Sequence, residues 1–160
     1  MDIGSLACQR SSPGNPATGV FYDFGIYMAL SDDDVLSSAF DENYVPGTFR
    51  QVFYRDTLAL SPAPGDWQDF ELDQQFWYDG MHNLIVEFRW SGGTTADDCL
   101  YSWHWNTGTI RSVSALYGAS TGTMSSLVVM LRFTGELALD QTTFAGVKRT
   151  FAGGPPPLSR

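Results

Sequence analysis

An antiparallel β-sandwich of jelly-roll type is the fold that this chain of 160 residues predicts. Three observations carry that expectation. The composition is 43% apolar, 14% aromatic and 17% charged, which supplies a core and excludes wholesale disorder. Sixteen Gly and eight Pro beside eleven Phe, seven Tyr and five Trp suit short strands joined by tight turns better than helices. Apolar residues recur at every second position in segments about 10 to 15 residues apart, without the spacing of βαβ units.

Residues 1–19 read as a flexible leader rich in Ser, Gly and Pro, because the run from Ser11 to Pro16 neither propagates a helix nor fits a central strand. A sandwich domain spans residues 20–135. Its first strand places Val20, Tyr22, Phe24, Ile26, Met28 and Leu30 on one face, and Ser31 to Asp34 ends it. Asp32 to Phe40 is the one segment suited to a short helix. Phe49 to Leu60 is a second strand whose apolar phase shifts between Phe53 and Leu58, which predicts a bulge there. Trp67 to Leu72 is a third, and Asn83 to Trp90 a fourth with Leu84, Val86, Phe88 and Trp90 inward. Cys99, Tyr101, Trp103 and Trp105 alternate with polar residues, and Asn106-Thr107-Gly108 turns the chain into a strand from Ile110 to Tyr117. Leu127 to Phe133 is apolar on both faces, which predicts a central strand. Residues 136–160 form a last strand or arm that ends in the extended segment Gly153 to Pro157.

Eighteen Asp and Glu against nine Lys and Arg give a net charge of −9, and Lys148 is the single lysine. A surface of that sign repels phosphate backbones and anionic lipid, so roles in nucleic-acid and membrane-surface binding are excluded. Met1 to Leu6 begins acidic and turns polar by Gln9, unlike the basic and then apolar pattern of a secretory signal. No stretch approaches the roughly 20 apolar residues of a membrane span. Cys8 and Cys99 are the only cysteines, which excludes a four-cysteine zinc site and leaves either one disulfide or two free thiols. An aromatic-rich, lysine-poor, acidic β-domain fits the extracellular compartment, where disulfides belong.

Trp67, Phe70, Leu72, Phe76, Tyr78, Gly80, Asn83, Leu84 and Val86 together resemble a pattern found in β-sandwich modules of large bacterial secreted and cell-surface proteins. Gln75 stands where that family often has Pro. The specific motif is confined to Trp67 to Phe88, and a looser likeness covers most of the chain. The resemblance implies a non-catalytic module of the cell exterior concerned with adhesion, spacing or assembly. It also implies that Trp67 caps the sandwich, that Gly80 serves a turn, and that the Asn83 side chain bonds to loop backbone.

Candidates for chemistry are few. His82 and His104 are too few for a three-histidine metal site and read as surface residues, and no Gly-x-Ser-x-Gly elbow is present, so the sequence does not read as an enzyme. The acidic loops with Asp32, Asp33, Asp34, Asp97 and Asp98 are candidates for a structural calcium ion, which takes roughly six to eight oxygen ligands; otherwise they are solvated rims. Trp90, Tyr101, Trp103, Trp105 and Tyr117 read as core rather than as a sugar platform, because Tyr101, Trp103 and Trp105 share one face. Tyr44, Trp77 and Tyr78 are the better members of any ligand platform. The expected function is therefore a non-catalytic extracellular structural or adhesive module, self-associating or joined to neighbouring modules, with strand exchange through the leader that carries Cys8 and through residues 136–160 as the route into a surface filament. The alternative is a glycan-binding module of a secreted enzyme.

Overall fold

The computed structural model of the chain describes residues 1–11, 19–94, 102 and 104–136. Eleven strands follow one another among these: β1 Asp2–Gln9, β2 Gly19–Ser31, β3 Arg50–Leu60, β4 Trp67–Trp77, β5 Asn83–Arg89, β6 Gly92–Gly93, β7 His104–Asn106, β8 Ser112–Ser114, β9 Thr123–Ser125, β10 Leu127–Val129 and β11 Leu131–Glu136. All pairings are antiparallel. One sheet has the order β11-β1-β4, and the other has β3-β2-β5, with β6 also pairing to β2. They face each other across a shared apolar layer: Phe70 of β4 stacks on Phe24 of β2 at 5.8 Å between ring centres and meets Phe53 of β3 edge-on at 5.6 Å. The fold is thus an all-β antiparallel sandwich.

Within that layer Phe24 is the hub. Its ring contacts those of Phe21, Phe53, Phe70, Phe88 and Trp90, at centre distances from 5.8 to 6.3 Å. Leu84, Val86, Phe88 and Trp90 pack on this core as the alternation of β5 predicts. The phase of β2 differs from the expected one. Asp23 lies at φ 51°, in the left-handed region, so Phe21 and Phe24 are both buried and Tyr22 turns outward. On β3 the bulge falls one residue before the expected interval: Ile26 pairs with Phe53 and Tyr27 with Gln51, which leaves Val52 as the extra residue and buries Val52 and Phe53 side by side.

The stretch 1–19, expected to be a leader, needs correction. Asp2–Gln9 is the middle strand of a sheet, with Ile3, Leu6 and Cys8 in the core. An irregularity between Ile3 and Ser5 breaks the alternation, which is why the period-two pattern is not visible in the sequence. On the outward face, the ion pair of Arg132 with Asp69 at 2.8 Å crosses over Ala7, whose strand partners are those two residues, and covers it. The β4 strand is also longer than expected: it runs on to Trp77, and between its two stretches of pairing with β1 it leans onto β3. There Asp73 Oδ2 accepts a hydrogen bond from the Tyr54 N–H at 2.9 Å, and the carboxylate pairs with Arg55 at 2.8 Å.

Leu127 to Phe133 is not a central strand. The chain changes partner at Met130, so that β10 pairs with β7 while β11 pairs with β1 at the edge of its sheet. The expected helix at Asp32 to Phe40 is instead a loop followed by a single 3-10 turn at Phe40–Asn43. Buried Asn43 stands in for a helix there: its Oδ1 accepts from the Ser37 N–H at 2.7 Å and its Nδ2 donates to the Ala39 carbonyl at 2.8 Å. The expected arm lies outside the described residues beyond Glu136.

Candidate functional site

At one end of the sandwich the loop after β2 meets the loop between β4 and β5. Gly80, at φ 78°, gives the second loop its turn. Asp79 Oδ1 accepts the N–H groups of Met81 at 2.9 Å and His82 at 3.1 Å, which fixes the loop as an Asx-type turn. The other oxygen of Asp79 bonds His82 Nδ1, and His82 Nε2 lies 3.2 Å from Asp32 Oδ1 in the opposite loop. Both ring nitrogens therefore face carboxylate oxygens, an arrangement that only the doubly protonated imidazolium satisfies. The Asp79 side chain is 7% exposed, whereas that of Asp32 is 77% exposed. Beside them Asn83 Nδ2 donates to the Asp33 carbonyl at 3.0 Å and to Asp34 Oδ1 at 3.3 Å, the loop contact expected of Asn83. Arg111 lies 3.6 Å from Asp34.

Hydrogen bonds from the backbone at Met81 and from His82 hold Asp79 down to about 2, and its carboxylate in turn raises His82 above 6.5. The sign follows from linkage. A raised histidine stabilises fully below its unfolded value and loses that contribution as pH rises through its folded value, while the lowered Asp79 loses its contribution only in strong acid. His82→Gln should therefore depress Tm more at pH 5.5 than at pH 8.5 (chosen to lie about one and two units either side of 6.5). Equal depression at both pH values in a thermal melt would sink the latch.

The sequence candidates fare differently. The Asp32 carboxylate faces His82 and that of Asp34 faces Asn83 and Arg111, Asp33 meets Asn83 through its backbone carbonyl, and Asp97 and Asp98 lie outside the described residues. Among the described residues no group of three or more His, Cys, Asp or Glu is placed to hold a metal ion. Cys8 is a buried free thiol, pushed up to about 11 by burial, and its candidate partner Cys99 lies outside the described residues. Tyr44 rests on Phe49 at 4.7 Å and bonds Glu87, which also binds Arg89; Arg89 lies over the Tyr27 ring at 4.6 Å. Tyr78 packs against the core and donates to the His82 carbonyl at 3.0 Å. Trp77 is exposed. No ring contact joins these three into one platform.

A second polar group surrounds the strained Asp23, whose Oδ2 accepts from Ser91 Oγ at 2.6 Å and whose Oδ1 accepts from the Tyr54 hydroxyl at 3.0 Å. These bonds lower Asp23, and the Asp23 and Asp56 carboxylates push Tyr54 up to about 12. They account for the backbone conformation of Asp23. A cleft of about 320 Å³ lies along Gln51 to Tyr54, Asp73 and Gln74, at the seam where β4 leans onto β3.

Of the aromatic residues read as core, Trp105 and Tyr117 are corrected by the structure. Trp105 is 65% and Tyr117 62% exposed, while Trp90 packs inward and Tyr101 and Trp103 lie outside the described residues. Trp105 belongs to a two-stranded ribbon formed by β7 with β10 and continued by β8 with β9. Trp105 pairs with Val128 and Val113 with Met124, and the tip is held by the Ala39–Thr121 bridge and by the Gly122 N–H to the Ser38 carbonyl at 2.9 Å. Leu116, Met124 and Leu127 are also exposed on it. A signal for this surface was available in the sequence, since residues 99–135 contain no Asp or Glu. Among the described residues no helix is long and apolar enough to cross a membrane. Comparison of the chain with family models, curated proteins and solved structures returns no match.

Proposed function

We propose that the chain is a non-catalytic structural module of the cell exterior that associates with copies of itself by strand exchange. The observation that carries this reading is the edge position of β11. It pairs with β1 on one side, and among the described residues nothing pairs with its other side. β11 is also the element that leads directly into residues 137–160. The edge strand Leu131–Glu136 is free of Pro and Lys, two of the usual guards against pairing with another chain, and carries the charges of Arg132 and Glu136. The resemblance of Trp67 to Phe88 to modules of bacterial surface proteins supports the same reading, and so does the acidic, aromatic-rich composition. Removal of residues 137–160 should lower the mass of the assembly in multi-angle light scattering. An assembly of unchanged mass would count against strand exchange.

The exposed faces of Trp105 and Tyr117, set among Ser, Thr and Asn, favour a second reading as a glycan-binding module. Retention on insoluble polysaccharide that is lost in Trp105→Ala would support that alternative over assembly.

A further inference from the structure

Two like-charged chains meet most easily where neither carries charge. The chain holds eighteen acidic groups for a net of −9, yet residues 99–135 hold none, and Arg111, the arginine of the ribbon, is paired to Asp34. The same stretch exposes large apolar side chains: Leu116 is 88%, Trp105 65%, Met124 47% and Leu127 46% accessible. An isolated two-stranded ribbon is marginal in water without something to cover its apolar groups. Depletion of charge together with exposed Trp, Tyr and Met is the compositional mark of the buried centre of an interface.

We propose that the ribbon from His104 to Val129 is a contact surface for a second copy of this chain. The occupant follows from charge. An oppositely charged partner would be drawn to the acidic loops around Asp32, Asp33 and Asp34, whereas a second copy, itself at −9, meets least repulsion at a face that carries no carboxylate. The ribbon pairs with its counterpart as a self-complementary patch, and Trp105 and Met124 lie at its centre. This inference rests on the self-association reading and is independent of residues 137–160. Together the ribbon contact and strand exchange would give each copy two different joints.

Sedimentation equilibrium of the full chain tests it. Mass should rise with concentration above the monomer value of 17.7 kDa, and association should strengthen between about 50 mM and about 500 mM salt as repulsion is screened. Trp105→Glu with Met124→Glu should weaken it by about tenfold or more, with partial recovery in high salt. Trp105→Ser with Met124→Ser should weaken it at both salt concentrations, and thermal melts establish that each variant is folded. A folded variant that associates like the unchanged chain overturns the ribbon contact and leaves strand exchange standing. Association that survives removal of residues 137–160 but not the Trp105 variants supports the ribbon and overturns strand exchange. A chain that stays monomeric at all concentrations, its ribbon covered by its own tail or by a different partner, overturns both.

Discussion

Phe24→Ala is expected to cost about 3–5 kcal/mol of folding stability, a large share of the roughly 5–15 kcal/mol that holds a domain of this size together. The side chain is fully buried and touches five aromatic rings drawn from both sheets. Its removal takes away the apolar transfer energy and leaves a cavity that rings on β4 and β5 cannot fill without leaving their own contacts. Edge-to-face and offset pairs add about 0.5–1.5 kcal/mol each beyond area, so Phe24→Leu, which keeps most of the volume, should recover only part of the loss. For a chain of this length the alanine variant should melt lower by roughly 10 °C or more. A fall of less than about 2 °C would mean that the two sheets do not share this core.

Gly135→Ala should rank beside it, for a different reason. A Cβ built on Gly135 would stand 2.2 Å from the Asp2 carbonyl oxygen and 3.0 Å from the Ile3 Cα. Those atoms are backbone of the neighbouring strand, so no side chain can swing aside and the β11–β1 ladder must part where Ile3 pairs with Gly135. Overpacking of this kind costs about 3 kcal/mol or more, and the damage should be local: amides of β1 and β11 should lose hydrogen-exchange protection before those of β2 and β3. Gly92→Ala is the control, because a Cβ there meets nothing closer than Tyr22 at 4.0 Å. If both variants melt alike, the close approach at Gly135 is not what the sheet requires.

The parts of this fold legible in the sequence are those where one periodicity holds without interruption. β5 reads correctly because Leu84, Val86, Phe88 and Trp90 alternate throughout. The position of β2 is legible, but its inward face at Phe21 and Tyr22 is not, since alternation cannot reveal a left-handed Asp23 held by Ser91 and Tyr54. β1 is not legible because the irregularity near Gly4 displaces Ile3 from the phase of Leu6 and Cys8. The ribbon shows the converse error. Trp105 sits in an alternating run that looks like core, but its partner strand is only three residues long and among the described residues Trp105 is largely exposed. Of the site, Asn83 bonding to the opposite loop was readable from its position before a strand. The role of His82 was not, because Asp32 is fifty residues distant in sequence and only the sandwich brings the two loops together.

The placement of β1 has a consequence for how the chain is made. Its neighbours are β4, which begins at Trp67, and β11, which ends at Glu136. During synthesis β1 emerges before both its partners, and its sheet cannot gain its last strand until residue 136 has emerged, whereas the sheet of β3, β2, β5 and β6 has all its strands by Gly93. Pairings of such long sequence separation are the slow ones, and a nascent chain halted before β11 carries Ile3, Leu6 and Cys8 on a strand open along one side. Of the strands of that sheet, β1 is thus the one exposed longest to wrong partners.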